Sequence, residues 1–101
     1  KQGTETYYYA PVDNDLLFLQ LDERKSLATN LHQQLAAKLK RPDRGVKTAN
    51  FSVLRNTTMP SALVECVFIS NPDEEQMLQK DYFIQWTAEA IANGIAAHMG
   101  K

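Results

Sequence analysis

The sequence predicts an α/β domain, a layered mixed sheet flanked by helices, on three observations. The chain opens with an aromatic and β-branched segment, Thr4-Glu5-Thr6-Tyr7-Tyr8-Tyr9-Ala10. Further on comes an apolar run broken by a single acid, Ala62-Leu63-Val64-Glu65-Cys66-Val67-Phe68-Ile69. Both have the composition of strands. Two longer stretches repeat leucine or isoleucine at helical spacing. The predicted order is strand, helix, strand, strand, helix, helix.

Taken in order, Thr4–Ala10 forms the first strand and stops at Pro11. Its tyrosines read as a strand placing alternate rings in the core rather than as a sugar-stacking platform. Val12-Asp13-Asn14-Asp15 is a turn-rich break. Leu16–Leu21 fits either an apolar loop cover or the first turns of a helix. From Glu23 to Leu39 the pattern is helical, with Leu27, Leu31 and Leu35 every four residues and Ala28 and Leu39 completing the stripe. Pro42-Asp43-Arg44-Gly45 ends that helix and turns the chain. Ala49–Arg55 is the second predicted strand, Asn56–Pro60 a polar loop, and the Glu65 run the third strand. That run lacks polar alternation, which predicts a central strand covered on both faces. Asn71, Pro72 and three acids then make a well-formed helix start, with Asn71 as N-cap. A short helix runs to about Gln79. A longer one spans Asp81–His98 on a stripe of Ile84, Ala88, Ile91 and Ile95. Three strands and their helices are too little to cover both faces of a central strand, so the sheet looks incomplete.

The bulk properties narrow the function classes. At 101 residues there is room for one core. A net charge of -1 carries no electrostatic footprint for nucleic acid or an anionic membrane. The short basic stretch Lys38–Arg44 suits a helix C-terminus. No run is long enough to span a membrane, and Lys1 opens no signal-peptide pattern. Cys66, the single cysteine, reads as a small buried hydrophobe.

His32 and His98 are far apart, with no His-x-x-x-His or Glu-x-x-His pair and no second cysteine, so no metal site is assigned within the chain. Ser61 and Ser70 lack a glycine elbow, and the four glycines make no phosphate cradle. Glu65 is left as the lead. A carboxylate among apolar strand residues is costly to bury. One reading pairs it with an arginine such as Arg44 or Arg55. The other makes it a strand-end general acid/base with a pKa raised by burial. Residue chemistry alone leaves both open.

The stretch Arg44-Gly45-Val46-Lys47, Phe51-Ser52-Val53-Leu54-Arg55 and Met59-Pro60-Ser61-Ala62-Leu63-Val64-Glu65-Cys66-Val67-Phe68-Ile69-Ser70-Asn71 resembles the C-terminal half of zinc-dependent N-acetylmuramoyl-L-alanine amidases of the amidase-3 type. Gly3-Thr4-Glu5-Thr6-Tyr7-Tyr8 is similar to that family's G-x-E-T-Y-Y strand, and the later segments to its last helices. The resemblance implies a bacterial cell-envelope hydrolase acting on peptidoglycan, its stem peptide and glycan. The bond cut would be the amide between N-acetylmuramic acid and L-alanine. Glu65 would be general acid/base to a zinc-activated water. Arg44, Arg55 and Asn71 are further substrate-side candidates, with Asn71 assigned mainly to its helix cap. Cys66 stands where the family usually has glycine.

The family's zinc ligands, two histidines and a glutamate, precede the G-x-E-T-Y-Y strand. The resemblance therefore places them upstream of Lys1, in a part of the domain these residues do not contain. Neither His32, His98 nor Glu5 matches a ligand position. The chain alone is then expected to be inactive. The alternative is a non-catalytic fragment of the same fold that binds cell wall or a partner.

Overall fold

The computed structural model describes all 101 residues. Its elements are β1 (Thr4–Tyr8), α1 (Asp15–Leu19), α2 (Leu21–Leu39), β2 (Asp43–Thr48), α3 (Ser52–Arg55), β3 (Leu63–Glu65), α4 (Pro72–Met77) and α5 (Asp81–His98). The three strands make one mixed sheet in the order β2-β1-β3, with β2 parallel and β3 antiparallel to β1. The predicted α/β class, a sheet flanked by helices, is the one observed.

Of the two readings of Leu16–Leu21 the helical one holds: Leu16–Leu19 lies in α1, which starts behind Asn14, whose side chain accepts from the Leu17 amide, and Leu21 opens α2 after the Gln20 cap. Other elements differ from the sequence reading. The second strand is not Ala49–Arg55 but Asp43–Thr48, the segment read as a turn. The helix before it stops at Lys40, which takes the left-handed conformation (φ 55°), so the chain is free to extend by Asp43. A register shift between Thr4 and Thr6 and a positive φ at Gly45 mark an irregular, charged edge strand, which hides strand propensity. Phe51–Arg55 instead forms a single helical turn whose one buried residue is Leu54. The Glu65 strand is also shorter than predicted, and it is an edge strand in this chain, with β1 at the centre. Its residues are half-buried, as suits a strand paired on one edge only.

Side-chain alternation assigns the two sheet faces. Thr4, Thr6 and Val64 point toward α2, where the Thr6 hydroxyl meets His32 Nδ1 at 3.0 Å. Below them α2 buries Ala28, Leu31, Leu35 and Leu39. Phe83 and Ala90 of α5 complete the core with partly buried Val64, Cys66 and Val67. The α2–α5 crossing is close because of Gly94: a Cβ there would stand 2.8 Å from the Leu31 Cα. That crossing turns Phe83, Ala90 and Gly94 inward and leaves Ile84, Ala88 and Ile95 of the predicted stripe exposed, while Ile91 alone of that stripe packs against the core. A helix apolar on more than one side is suited to burial on more than one side.

Candidate active site

Glu65 ends β3 directly opposite Glu5 of β1 in the antiparallel ladder. Their side chains therefore project from the same face, the one away from α2. Tyr7 and Leu63 form the next pair along that face, and Lys47 of β2 is the partner of Tyr7 on the other side. β1 thus lies between two cationic residues from β2 and a carboxylate from β3.

The two acids are in different states. Glu5 is almost fully buried, at 1% exposure. It accepts from Lys47 Nζ at 2.7 Å, from Arg44 Nε at 3.1 Å and from the Tyr7 hydroxyl. Burial works against its charge, but the hydrogen bonds from Lys47, Tyr7 and Arg44 outweigh it and hold its pKa at about 2. The same hydrogen bond to Glu5, with burial, raises the Tyr7 phenol to about 12. Glu65 makes no ion pair with any cation. Burial and the neighbouring Glu5 charge push its carboxyl above the usual range, against weaker opposing pulls from Lys1 and Lys47. Glu65 is half-buried, and none of the surface grooves is lined by it.

Of the other candidates, Arg44 reaches this face, where it bonds Glu5 rather than Glu65. It also stacks on the Phe68 ring at 5.4 Å. Arg55 ends α3, not a strand, and its guanidinium bonds the Asn50 side chain. Asn71 caps α4, accepting from the amides of Asp73 and Glu74 at 3.0 and 3.2 Å.

Three buried polar groups that position the site escaped the sequence reading. Arg24 is fully buried without a carboxylate partner. It donates to the carbonyls of Thr57, Met59 and Leu54 at 2.8, 2.9 and 3.0 Å, tying down the loop that leads into β3. Glu74, also fully buried, accepts from Arg41 Nε and from the amides of Gly3 and Phe68, each at 2.8 Å. It thereby pins both chain segments that flank the Glu5–Glu65 pair. Glu5 itself is the third. The signal that singled out Glu65 is only partly present at Glu5, whose neighbours Thr4 and Thr6 are strand-forming but polar.

Comparison with known proteins decides the family. The profile for N-acetylmuramoyl-L-alanine amidases matches residues 1–97. The chain belongs to this family. It superposes on a solved N-acetylmuramoyl-L-alanine amidase from Clostridium difficile 630 with a TM-score of 0.85 at 31% identity, over 100% of this chain and 50% of the other. The catalytic domain of CwlV from Bacillus (Paenibacillus) polymyxa var. colistinus gives a TM-score of 0.83 at 34% identity, over 99% and 50%. In sequence the chain is 38% identical over 96 residues to the amidase LytC of Bacillus subtilis (strain 168), covering 95% of this chain and 18% of LytC. It is 48% identical over 69 residues to the endolysin of Bacillus phage SPP1, covering 65% and 26%. The chain thus spans half the length of these solved relatives and less of the curated ones.

Members of this amidase family generally use zinc. The residues of this chain do not fit a zinc centre. No three His, Cys, Asp or Glu side chains converge. His32 is buried with Nε2 2.6 Å from Asp43 and Nδ1 on Thr6, and His98 meets Ser26 at 3.2 Å. Burial pushes the Cys66 thiol up, away from the thiolate a metal needs.

Proposed function

We propose that these residues form the acid/base half of a cell-wall amidase, the protein hydrolysing the amide between N-acetylmuramic acid and the L-alanine of the stem peptide. Family membership supports the reaction class, and one observation carries the assignment within the chain. Glu65 is the half-buried carboxylate that no cation pairs with, its proton held more tightly than an ordinary glutamate's by burial and by the facing Glu5. Such a group suits accepting a proton from an attacking water and passing it to a departing amide nitrogen. These residues supply no metal chemistry; the ligands of a zinc ion belong to a part of the domain outside them. Arg44, with one edge of its guanidinium on Glu5, is a cation on this face with donors left for a stem-peptide carboxylate. The relatives named as cell-wall amidases and an endolysin support a site of action at the bacterial cell envelope.

The decisive experiment is Glu65→Gln in the complete domain, assayed for release of soluble stem peptide from peptidoglycan. A loss of 10²-fold or more is the order expected for removing a general acid/base. Activity close to wild type removes the catalytic role. The 101 residues alone are expected to release nothing, and zinc-dependent release by them would refute the division of the site. A non-catalytic binding fragment is the second reading, favoured by the absence of a metal-ligand cluster in this chain. Retention of the chain on purified peptidoglycan, with no zinc uptake when the rest of the domain is added, would support it.

A further inference from the structure

Glu5 has no part in the chemistry just described, yet it is among the most buried side chains in the molecule. It occupies the ladder position directly opposite Glu65. Two like charges facing each other across a strand pair are unfavourable, and here one of them is locked in place. Lys47, Arg44 and Tyr7 all donate to Glu5, and none of the three bonds Glu65. The face then has an asymmetric carboxylate pair, one acid clamped by three donors and the other, facing it, bonded by none of them.

We propose that Glu5 is a positioning residue for this site, an anion fixed from β2 and β1 that governs when Glu65 holds its proton. The proposal rests on the reading of Glu65 as the acid/base. The charged and titratable groups facing Glu65 are Glu5 and Tyr7 from β1, Lys47 from β2, and Lys1 from the segment before β1, while Arg44 of β2 faces Glu5 and Tyr7. Among these, Glu5 is the one anion, so its removal leaves a surplus of positive charge around Glu65. The clamp also explains why a fixed acid is used. A mobile carboxylate would share the proton and blur the two states, whereas Glu5 bonded by three donors cannot take it above strongly acidic pH.

The test is a carbon-13 NMR titration of the glutamate carboxyls in the 101-residue chain, which reads protonation without catalysis. Wild type is expected to show Glu65 titrating above the ordinary 4.5 and Glu5 near 2. In Glu5→Gln the Glu65 midpoint should fall by about half a unit or more. Glu5→Asp, which keeps the charge, should hold it raised, whereas a purely structural role predicts no such rescue. A Glu65 midpoint at or below 4.5 in wild type overturns the proposal, even where Glu5→Gln does not fold. So does an unmoved midpoint in a folded Glu5→Gln. In the complete domain the acidic limb of kcat/KM should move down with the NMR midpoint. A moved midpoint with a fixed limb upholds the Glu5 coupling and counts against Glu65 as the catalytic base.

Discussion

At Glu5, burial and hydrogen bonding pull in opposite directions, and three donors win. A carboxyl held near 2 when folded and near 4.5 when unfolded stabilises the fold above pH 4.5 and loses that contribution as pH falls through about 2. Glu74 and Asp43 are shifted in the same direction, Glu74 by the Phe68 amide and Arg41 against its own burial, and Asp43 by His32. Urea unfolding measured from pH 6 to pH 2 should therefore show stability falling steeply below about 4.5, and less steeply in Glu5→Gln. Glu65 has the opposite sign. Its raised pKa makes its contribution largest below 4.5 and diminishing as pH rises through the folded value. At pH 7 Glu65→Gln is expected to be as stable as wild type or more so, while abolishing activity in the complete domain. Arg24 is a third case, a buried cation neutralised by no acid and held by carbonyl dipoles. Replacing it with methionine strands those carbonyls and should cost about 3 kcal/mol in denaturant unfolding.

At the scale of elements, β3 is placed by what lies at its two ends rather than by its own three residues. Arg24 of α2 holds the incoming loop, and Glu74 of α4 holds the outgoing one through the Phe68 amide. Glu74 also binds the Gly3 amide, just before β1. Gly3 adopts φ 108°, and a Cβ there would fall 2.2 Å from the Pro42 carbonyl oxygen. Gly3→Ala must therefore shift the start of β1 away from β2. It should destabilise by about 2 kcal/mol or more in thermal or urea unfolding. This architecture also explains how far the elements were readable. α2 and α4 announce themselves through local signals, a four-residue leucine repeat and an Asn-Pro cap. β2 does not, because an edge strand carrying Asp43, Arg44 and Lys47 is specified by its partner β1 and by Glu5, both distant in sequence.

Across the whole molecule, α5 separates what this chain buries from what it leaves open. Phe83, Ala90 and Gly94 face α2, while Ile84 and Ile95 are 53% and 47% exposed. Cys66, Leu78, Ile84, Ala88 and Ile91 line a shallow apolar groove on the outer side. Phe83→Ala or Leu35→Ala should then cost about 3–5 kcal/mol, but Ile84→Ser or Ile95→Ser within about 0.5 kcal/mol in the isolated chain. Unfolding curves of the four variants distinguish this arrangement from the periodicity-based stripe, which assigns the large losses to Ile84 and Ile95.

What the sequence determined by itself was the fold class, the two long helices, the capped start of α4 and the family to which the stretch around Glu65 points. Each of these is written in local composition or periodicity, or in a motif long enough to carry the family resemblance. Tertiary structure alone decided the partners. It assigned Arg44 to Glu5 instead of Glu65, made β1 the central strand, and turned the other side of α5 inward. It also gathered Glu5, Arg24 and Glu74 into the supports of the site. Charge pairing and helix facing depend on which residues meet across 30 to 71 positions of chain, and no local pattern encodes that meeting.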